Sequence, residues 1–370
     1  MTMTRPKVIL HLITGLEVGG AESMLLKILP RACEGIEHHV CSIIGIGPIG
    51  DKLAAKGIRV HHLDLQHPID LGVTSRLRQQ IKAVQPDVLI TYLPHADLLG
   101  RIVGRAMHVP KIITSIRVKI TRSKYLPFFI LDGLTSPLVH HYHFNSVATA
   151  DLHRRYLGIP RRKTTVIPNG IELEQFNNLP DQQEARRVLQ LPADKILVCC
   201  VARLRRQKGH RYLIQAFRHV THQYPDAMLV LVGDGEEKQS ILAEIDRQEI
   251  NKNVIMLGNR HDVPHILAAV DIFVLTTLFE GMSNSIMEAM AAGLPIVTTD
   301  IPENRELITN GRTGLLHPPR DPLRAADALL ELITNKAHRE MLGRAAQEDI
   351  RARFNIEKIA QRYQTFYEQL

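Results

Sequence analysis

Short apolar runs alternate with segments of helical periodicity along nearly the whole chain. This alternation is typical of β-α-β units, in which helices connect buried parallel strands. The strands predicted in the first half are Lys7–Ile13, His39–Ile44, Ile58–Leu63, Asp87–Thr91, Lys111–Ile116, His141–Phe144 and Thr165–Ile167.

A second series of the same kind follows a turn signal at Pro168-Asn169-Gly170 and a polar stretch that ends at Asp181. Its predicted strands are Ile196–Val201, Ala227–Val232, Val254–Leu257, Asp271–Leu275 and Pro295–Thr298. The sequence therefore predicts two doubly wound α/β domains, residues 1–175 and 176–352, and a terminal helix within 353–370. Since ligands of such sheets bind beyond the carboxyl ends of the strands, the site is expected in the cleft between the domains.

Length and composition agree with this organisation, because 370 residues are enough for two domains that each bury a core. The chain is 45% hydrophobic and contains no run of 18 apolar residues, so no membrane-spanning segment is predicted. His11 interrupts the first apolar run, which favours a buried strand over a signal peptide. Four cysteines without a metal-binding spacing are typical of a protein of the reducing cytoplasm.

The positive charge of the chain is concentrated in its first half. Residues 1–180 contain 22 Lys and Arg against 13 Asp and Glu, a net charge of +9. The whole chain has a net charge of +8, so residues 181–370 have a net charge of −1. A basic first half indicates an anionic partner, such as phosphates, a membrane surface or nucleic acid. Aromatic residues make up only 5% of the chain and Trp is absent, so nucleic acid is the least favoured of the three.

Two glycine patterns in the first half imitate phosphate-binding loops. Gly15 and Gly20 have P-loop spacing, but Ala21-Glu22 stands where the lysine of such a loop is required. The segment from Gly45 to Gly50 matches the dinucleotide pattern, yet it opens the second β-α unit and precedes a predicted helix, Asp51–Lys56, of less than two turns. A glycine turn without a ligand is therefore the favoured interpretation of the second pattern.

The candidate chemistry lies in the second half. Arg203 and Lys208 follow the strand that ends near Val201, where two cations are well placed to neutralise a diphosphate leaving group. Further on, Gly281, Ser283, Asn284 and Ser285 form a small polar loop that opens a predicted helix. The free N–H groups and dipole of such a helix suit an anion, and Glu280 and Glu288 flank the loop with carboxylates that accept hydrogen bonds from sugar hydroxyls.

These residues resemble the large family of retaining glycosyltransferases with the GT-B fold, which includes many bacterial lipid and polysaccharide sugar transferases. The most specific match is Glu280–Gly293, with two glutamates in E-x7-E spacing followed by Gly-Leu-Pro. The other matching segments are Gly19–Glu22, Val166–Ile171, Arg203 with Lys208-Gly209, Val232–Gly235, Leu257-Gly258 and Asp271–Leu275. The resemblance covers nearly the whole chain and is strongest over residues 160–320.

The resemblance implies a GT-B fold, in which two Rossmann-like domains face a central cleft and the last helix crosses back to the first domain. It also implies that Arg203 and Lys208 hold the diphosphate of a nucleotide sugar and that Glu280 orients the sugar. A UDP-sugar is the favoured donor. The implied donor-binding residues are Gly19, Gly20, Gly281, Ser283, Asn284, Ser285 and, for the ribose, Glu288. Retention by same-face attack requires no protein nucleophile, unlike the two-carboxylate scheme of glycosidases.

The sequence departs from the family after the fifth strand, where Ser115-Ile116-Arg117 replaces a segment that contains a histidine in many relatives. Arg117 stays protonated and cannot act as a base, but it is a candidate contact for phosphate or for an anionic acceptor, as is His95. No Asp-x-Asp motif occurs, and His140, His141 and His143 alternate on a predicted strand, so neither a metal nor any cofactor is expected.

Lys119, Arg122 and Lys124 precede an apolar, aromatic-rich segment, Tyr125–Leu131. Such a segment suits either the inner face of a membrane or packing on the first domain. The leading hypothesis is a sugar transferase with a lipid-linked or glycan acceptor. A nucleotide-sugar epimerase and a catalytically weak sugar-nucleotide-binding protein remain the alternatives, because related folds support different chemistry.

Overall fold

The computed structural model describes residues 5–65, 67, 70, 72–117 and 126–370, and of residues 126–129 only the backbone. The chain forms two compact units, residues 1–170 with 356–370 and residues 171–355. It therefore passes from one unit to the other twice, between Gly170 and Ile171 and between Asn355 and Ile356.

The first unit is built on a parallel sheet of seven described strands in the order β3-β2-β1-β4-β5-β6-β7. The strands are β1 Lys7–Ile13, β2 Ile36–Ser42, β3 Arg59–His62, β4 Val88–Tyr92, β5 Lys111–Ile116, β6 His141–Phe144 and β7 Thr164–Val166. The direction of winding reverses between β1 and β4, which pair in register from Ile9 opposite Val88 to Ile13 opposite Tyr92. The carboxyl ends of these two strands are thus a topological switch point, where doubly wound sheets bind ligands.

Helices connect the strands of this sheet. They are α1 Gly20–Ile28, α2 Gly47–Ala55, α3 Gly72–Val84, α4 Pro94–Ala106, α5 Leu126–Thr135 and α6 Val147–Leu157. The predicted short helix Asp51–Lys56 was wrong, since α2 has nine residues and begins inside the glycine pattern. Pro48 opens its first turn, where a missing N–H costs nothing, and the N–H of Ile49 bonds the carbonyl of Leu16 at 3.1 Å. The glycine pattern is thereby packed on the loop that follows β1.

The second unit contains a parallel sheet of six described strands in the order β10-β9-β8-β11-β12-β13. The strands are β8 Ile196–Val201, β9 Ala227–Val232, β10 Val254–Gly258, β11 Ile272–Leu275, β12 Ile296–Thr299 and β13 Leu315–His317. The sequence pattern did not predict β13, because three residues are too few to show a period. The helices are α7 Gln182–Leu189, α8 His210–Gln223, α9 Lys238–Arg247, α10 Val263–Ala269, α11 Asn284–Ala291, α12 Pro302–Arg305, α13 Pro322–Thr334 and α14 Lys336–Arg353.

Asp271, the first residue of the family-matching segment Asp271–Leu275, has a structural role. It stands immediately before β11, at the amino ends of the strands, and its carboxylate accepts from the N–H of Leu197 and from Arg186, both at 2.7 Å. Arg186 is buried and also donates to three backbone carbonyls. A largely buried carboxylate with these partners ties β8, β11 and α7 together at the amino ends of the strands, opposite to the expected site.

The last helix, α15 Ile356–Gln369, belongs to the first unit, as the resemblance implied. Its apolar positions recur with helical spacing and pack on the core that includes β1 and β4; they are Ile356, Ile359, Ala360, Tyr363, Phe366 and Tyr367. Burying a large apolar side chain contributes about 1.5–3 kcal/mol, so this seam is the main attachment of the helix. The two doubly wound sheets and the returning helix confirm the predicted fold class.

Candidate functional site

The candidate site lies at the switch point of the second sheet. Strands β8 and β11 are neighbours at its centre, and the chain leaves them in opposite directions, towards β9 from one and towards β12 from the other. The connection after β8 carries Arg203 and Lys208 before α8, and the connection after β11 carries Glu280 before α11. Because both connections start at the carboxyl ends of adjacent strands, the residues predicted from distant parts of the sequence stand side by side.

Lys208 and Glu280 form an ion pair at this edge. The Nζ of Lys208 lies 2.5 Å from Oε1 of Glu280, and the side chains are 19% and 8% exposed. Because little water reaches the pair, the attraction between the two charges is weakly screened. The pair therefore presents one cation for a phosphate and one acceptor for a hydroxyl within a single hydrogen bond of each other.

Two glycines allow the backbone around Lys208 to approach its neighbours closely. Gly209 has φ +68°, and a Cβ at this position would lie 2.1 Å from the carbonyl oxygen of Thr276. Gly233, in the loop after β9, has φ +135°, and its Cβ would lie 2.1 Å from the carbonyl oxygen of Ala202. Any other residue would clash and adopt a strained backbone at both places, so the segment from Ala202 to Gly209 is packed between two loops.

Helix α11 begins at Asn284, close to where the sequence predicts a helix start that binds an anion. Ser283, which is buried, caps the helix by accepting from the N–H of Ile286 at 3.4 Å. The remaining first-turn N–H groups and the positive end of the helix dipole suit the phosphates of a nucleotide. Asn284 and Ser285 belong to this first turn, Gly281 lies in the connection, and Glu288 follows on the second turn.

The other predicted residues are distributed as follows. Arg203 is exposed in the connection after β8, one residue beyond the buried Ala202. Gly19 caps α1 and Gly20 is its first residue, both in the first unit. His95 is exposed on the first turn of α4 in the same unit. The structure thus brings Lys208 and Glu280 into contact. It puts Arg203 on the same connection as Lys208 and Glu288 on the helix that follows Glu280, whereas the roles of all these residues remain predictions.

Arg117 is turned into the first unit. It is 8% exposed, and its Nη1 donates to Oδ1 of Asn169 at 3.0 Å while its Nη2 donates to the hydroxyl of Tyr363 at 2.8 Å. The Tyr363 hydroxyl also lies 3.2 Å from Nε2 of His143, whose pKa is held well below its usual value by burial and then by the Arg117 charge. In this structure Arg117 fastens α15 to the sheet, and contact with phosphate or acceptor would require the guanidinium to leave these bonds.

The three histidines considered for a metal are also engaged in local bonds. Nε2 of His141 lies 2.8 Å from the hydroxyl of Thr165, Nδ1 of His143 lies 2.8 Å from that of Ser115, and His140 accepts from a backbone N–H. Among the residues that the structure describes, no group of three His, Cys, Asp or Glu is arranged to hold a metal ion. The same described residues contain no helix long and apolar enough to cross a membrane.

The sequence pattern does not single out the residues that join the two connections. They are Gln207, Thr276 and Thr277, and each bonds from one connection to the other. Each is an ordinary polar residue in the sequence, and only the adjacency of β8 and β11 in the sheet brings it to its partner.

The chain is similar to known glycosyltransferases along most of its length. A family model described as Glycosyl transferases group 1 matches residues 181–349, and one described as Glycosyltransferase Family 4 matches residues 18–175. The chain is 28% identical over 315 residues to the UDP-Gal:alpha-D-GlcNAc-diphosphoundecaprenol alpha-1,3-galactosyltransferase of Escherichia coli, covering 80% of this chain and 79% of the other. It is 25% identical over 311 residues to the N-acetyl-alpha-D-glucosaminyl L-malate synthase of Bacillus anthracis, covering 81% and 79%.

A solved structure resembles the whole chain. The crystal structure of Anabaena HepE in complex with UDP-glucose has a TM-score of 0.86 to this protein, with 23% sequence identity and coverage of 98% of this chain and 100% of the other. At this level of identity the likeness shows the fold, which is GT-B.

Proposed function

Since the chain belongs to the glycosyl transferases group 1, we propose that it is a retaining enzyme that transfers a sugar from a UDP-sugar to a lipid-linked or glycan acceptor in cell-envelope synthesis. The observation that carries the proposal is the Lys208–Glu280 pair beside the first turn of α11. A diphosphate and a sugar hydroxyl are the two groups for which this cation, this carboxylate and these N–H groups are suited.

In the proposed reaction, the bond between the anomeric carbon and the diphosphate oxygen breaks while a bond to the acceptor oxygen forms on the same face, and the proton of the acceptor hydroxyl passes to the leaving diphosphate oxygen. Negative charge then grows on the leaving diphosphate, and Lys208 and Arg203 stabilise it. Glu280 accepts a hydrogen bond from the donor sugar and keeps its anomeric carbon towards the acceptor. Fixed charges of this kind stabilise the transition state without reorganisation, so a metal ion is not required.

The relatives support the substrate classes. The name of the Escherichia coli relative gives UDP-galactose as donor and a sugar diphosphoundecaprenol as acceptor, and HepE was crystallised with UDP-glucose. The Bacillus anthracis relative is named for an L-malate product instead. An acceptor with a negatively charged group is common to the two enzyme names, which agrees with the basic first half of this chain.

The proposal is tested by a thermal-shift panel of UDP, UDP-glucose, UDP-galactose, UDP-N-acetylglucosamine and GDP-mannose. A ligand at 100 times its Kd adds about 2.7 kcal/mol of stability, so the donor stands out from the others. With that donor, we expect slow release of UDP and of the free sugar, initially in the α configuration by NMR, both in the presence of EDTA.

The alternatives give different results in the same assay. Release of a free C2 epimer identifies an epimerase, and binding without turnover identifies a catalytically weak binding protein. Loss of turnover on chelation, with recovery in Mg²⁺ or Mn²⁺, would contradict metal independence. A β product would contradict retention.

We further propose that the first unit attaches to anionic membranes through α5. Its side chains Ile130, Leu131 and Leu134 are 54%, 45% and 71% exposed, which leaves an apolar face without cover from the described residues. The basic residues Lys119, Arg122 and Lys124, which precede the helix in sequence, lie outside the described residues. An apolar helix face suits the interface of a membrane, and basic residues nearby in the sequence favour a membrane with anionic lipids.

We therefore expect the protein to co-sediment with vesicles containing phosphatidylglycerol at low salt and to be released at high salt. Each basic residue near an anionic surface contributes about 1 kcal/mol, and the attraction falls off within a Debye length. Leu134→Ser should weaken the association, while Leu323→Ser, at another exposed leucine in the second unit, should not. Equal binding to neutral vesicles, or no binding to anionic vesicles at low salt, would contradict this proposal. The basic residues of the first half would then bind a soluble anionic acceptor instead.

A further inference from the structure

We propose that Gln207 is a positioning residue of the transfer reaction, because its side-chain amide sets the separation of Lys208 and Glu280. The inference rests on the proposed function, in which these two residues act on the donor. Gln207 is the sequence neighbour of Lys208, and it bonds the sequence neighbour of Glu280.

The contacts of Gln207 run in both directions between the two connections. Its Nε2 donates to the carbonyl of Phe279 at 2.7 Å, and its own carbonyl accepts from the N–H of Leu278 at 2.8 Å. The hydroxyl of Thr277 lies 3.1 Å from the same Gln207 carbonyl. Gln207 is thereby fixed through both its backbone and its side chain to the residues that lead into Glu280.

The partners of Gln207 are themselves held by the sheet. The carbonyl of Thr277 accepts from the hydroxyl of Thr299 at 2.6 Å, at the end of β12. On the other side, the hydroxyl of Thr276 donates to the carbonyl of Gly209 at 3.0 Å. The bonds of Gln207 therefore connect Lys208 and Glu280 to a rigid frame made by the ends of β11 and β12.

The carbonyl of Phe279, which precedes Glu280, accepts from the Gln207 amide at 2.7 Å and from the Thr277 hydroxyl at 3.2 Å. The amide makes the shorter bond, and it is the one that joins Phe279 to the connection that carries Lys208. Without the amide, the connection between Leu278 and Glu280 gains freedom to move away from Lys208. A displacement of about 1 Å in a catalytic group costs up to 10²-fold in rate. Gln207 touches neither the donor sugar nor the diphosphate in this scheme, so it acts through the ion pair.

The variant Gln207→Met keeps the length of the side chain and removes the amide. With the UDP-sugar that gives the largest thermal shift, we expect kcat to fall about tenfold or more, while the Kd of UDP alone changes less than threefold. UDP lacks the sugar that Glu280 orients, so its binding reports on the nucleotide contacts only. The matched control is Gln182→Met, which removes an amide bonded to Val270 and Asp271 at the opposite edge of the same sheet and should retain full kcat.

A double-mutant cycle with Lys208→Ala separates positioning from general loosening of the fold. If Gln207 acts through the ion pair, Gln207→Met should lower kcat less than twofold further when Lys208 is already absent. The same tenfold loss in both backgrounds would overturn the inference and leave the proposed function standing. Full activity of Lys208→Ala would overturn the proposed site, and the inference with it.

Thr277→Val provides a second variant in case Gln207→Met does not fold. It removes one hydroxyl and leaves the amide bond of Gln207 in place, so kcat should fall about threefold with Lys208 present and remain unchanged in the Lys208→Ala background. Equal losses in the two backgrounds, or full kcat with Lys208 present, would contradict the frame described above.

Discussion

Replacing Lys208 by Ala should lower turnover by about 10²–10³, which is the effect of removing one preorganised charge from a transition state. Lys208 is placed for this role by the turn that ends at Gly209 and by its 2.5 Å contact with Glu280. The variant leaves the buried Glu280 carboxylate without this cation, so part of the loss arises from a carboxylate that no longer holds its position. Initial rates of UDP release, with the UDP-sugar that gives the largest thermal shift, provide the measurement.

The control for this experiment is Lys195→Ala. Lys195 also pairs with a carboxylate, that of Asp226, but it stands just before β8, at the amino end of the strand. Its pair is exposed, and such pairs contribute little to stability, so both turnover and stability should be close to those of the unmodified protein. Lys208→Ala with more than a third of normal turnover would show that the diphosphate is neutralised elsewhere.

Replacing Asp132 by Ala should lower the free energy of unfolding of the first unit by about 3–5 kcal/mol. Asp132, on α5, lies 2.5 Å from Nη1 of Arg101, on α4, whose side chain is 0% exposed. Removing one partner of a buried ion pair leaves the other charge unpaired in a medium of low polarity. Urea unfolding followed by circular dichroism measures the loss, and the transition of the second unit should not move.

The surroundings of Arg101 limit how large this loss becomes. Burial opposes its charge, yet the carboxylates of Asp97 and Asp132 hold the pKa of Arg101 above its usual value. Desolvation raises the pKa of Asp97 to about 7, and the charge of Asp132 contributes to that rise. Without Asp132, Asp97 ionises more readily and takes over part of the pairing, so a value near the lower end of the range is expected at pH 7.5.

Two comparisons identify the buried pair as the cause. Asp151→Ala removes a partly exposed partner of Arg154 on α6 of the same unit and should cost less than about 1 kcal/mol. The double replacement Arg101→Met with Asp132→Leu should recover much of the loss, because apolar residues of similar size fill such a site without a desolvation penalty. If Asp132→Ala costs no more than Asp151→Ala, the pair does not hold α5 on the fold.

The sequence by itself determined the architecture of this protein. Buried parallel strands are short and mostly apolar between polar segments, and β1, β5, β6, β8 and β9 begin and end where the pattern placed them. The same runs, together with the family resemblance over Glu280–Gly293, identified Arg203, Lys208, Glu280 and Glu288 as candidates for donor chemistry. These inferences depend only on local periodicity and on which residue follows which strand.

The tertiary structure alone decided which of these residues meet. Lys208 and Glu280 are 72 residues apart in sequence, and they touch because β8 and β11 are neighbours in the order β10-β9-β8-β11-β12-β13. The sequence also did not reveal the orientation of Arg117. This side chain bonds Asn169 and Tyr363, and Tyr363 lies on a helix that returns to the first unit from the end of the chain. Strand order and helix docking are set by long-range packing of apolar surfaces, which leaves no trace in the spacing of neighbouring residues.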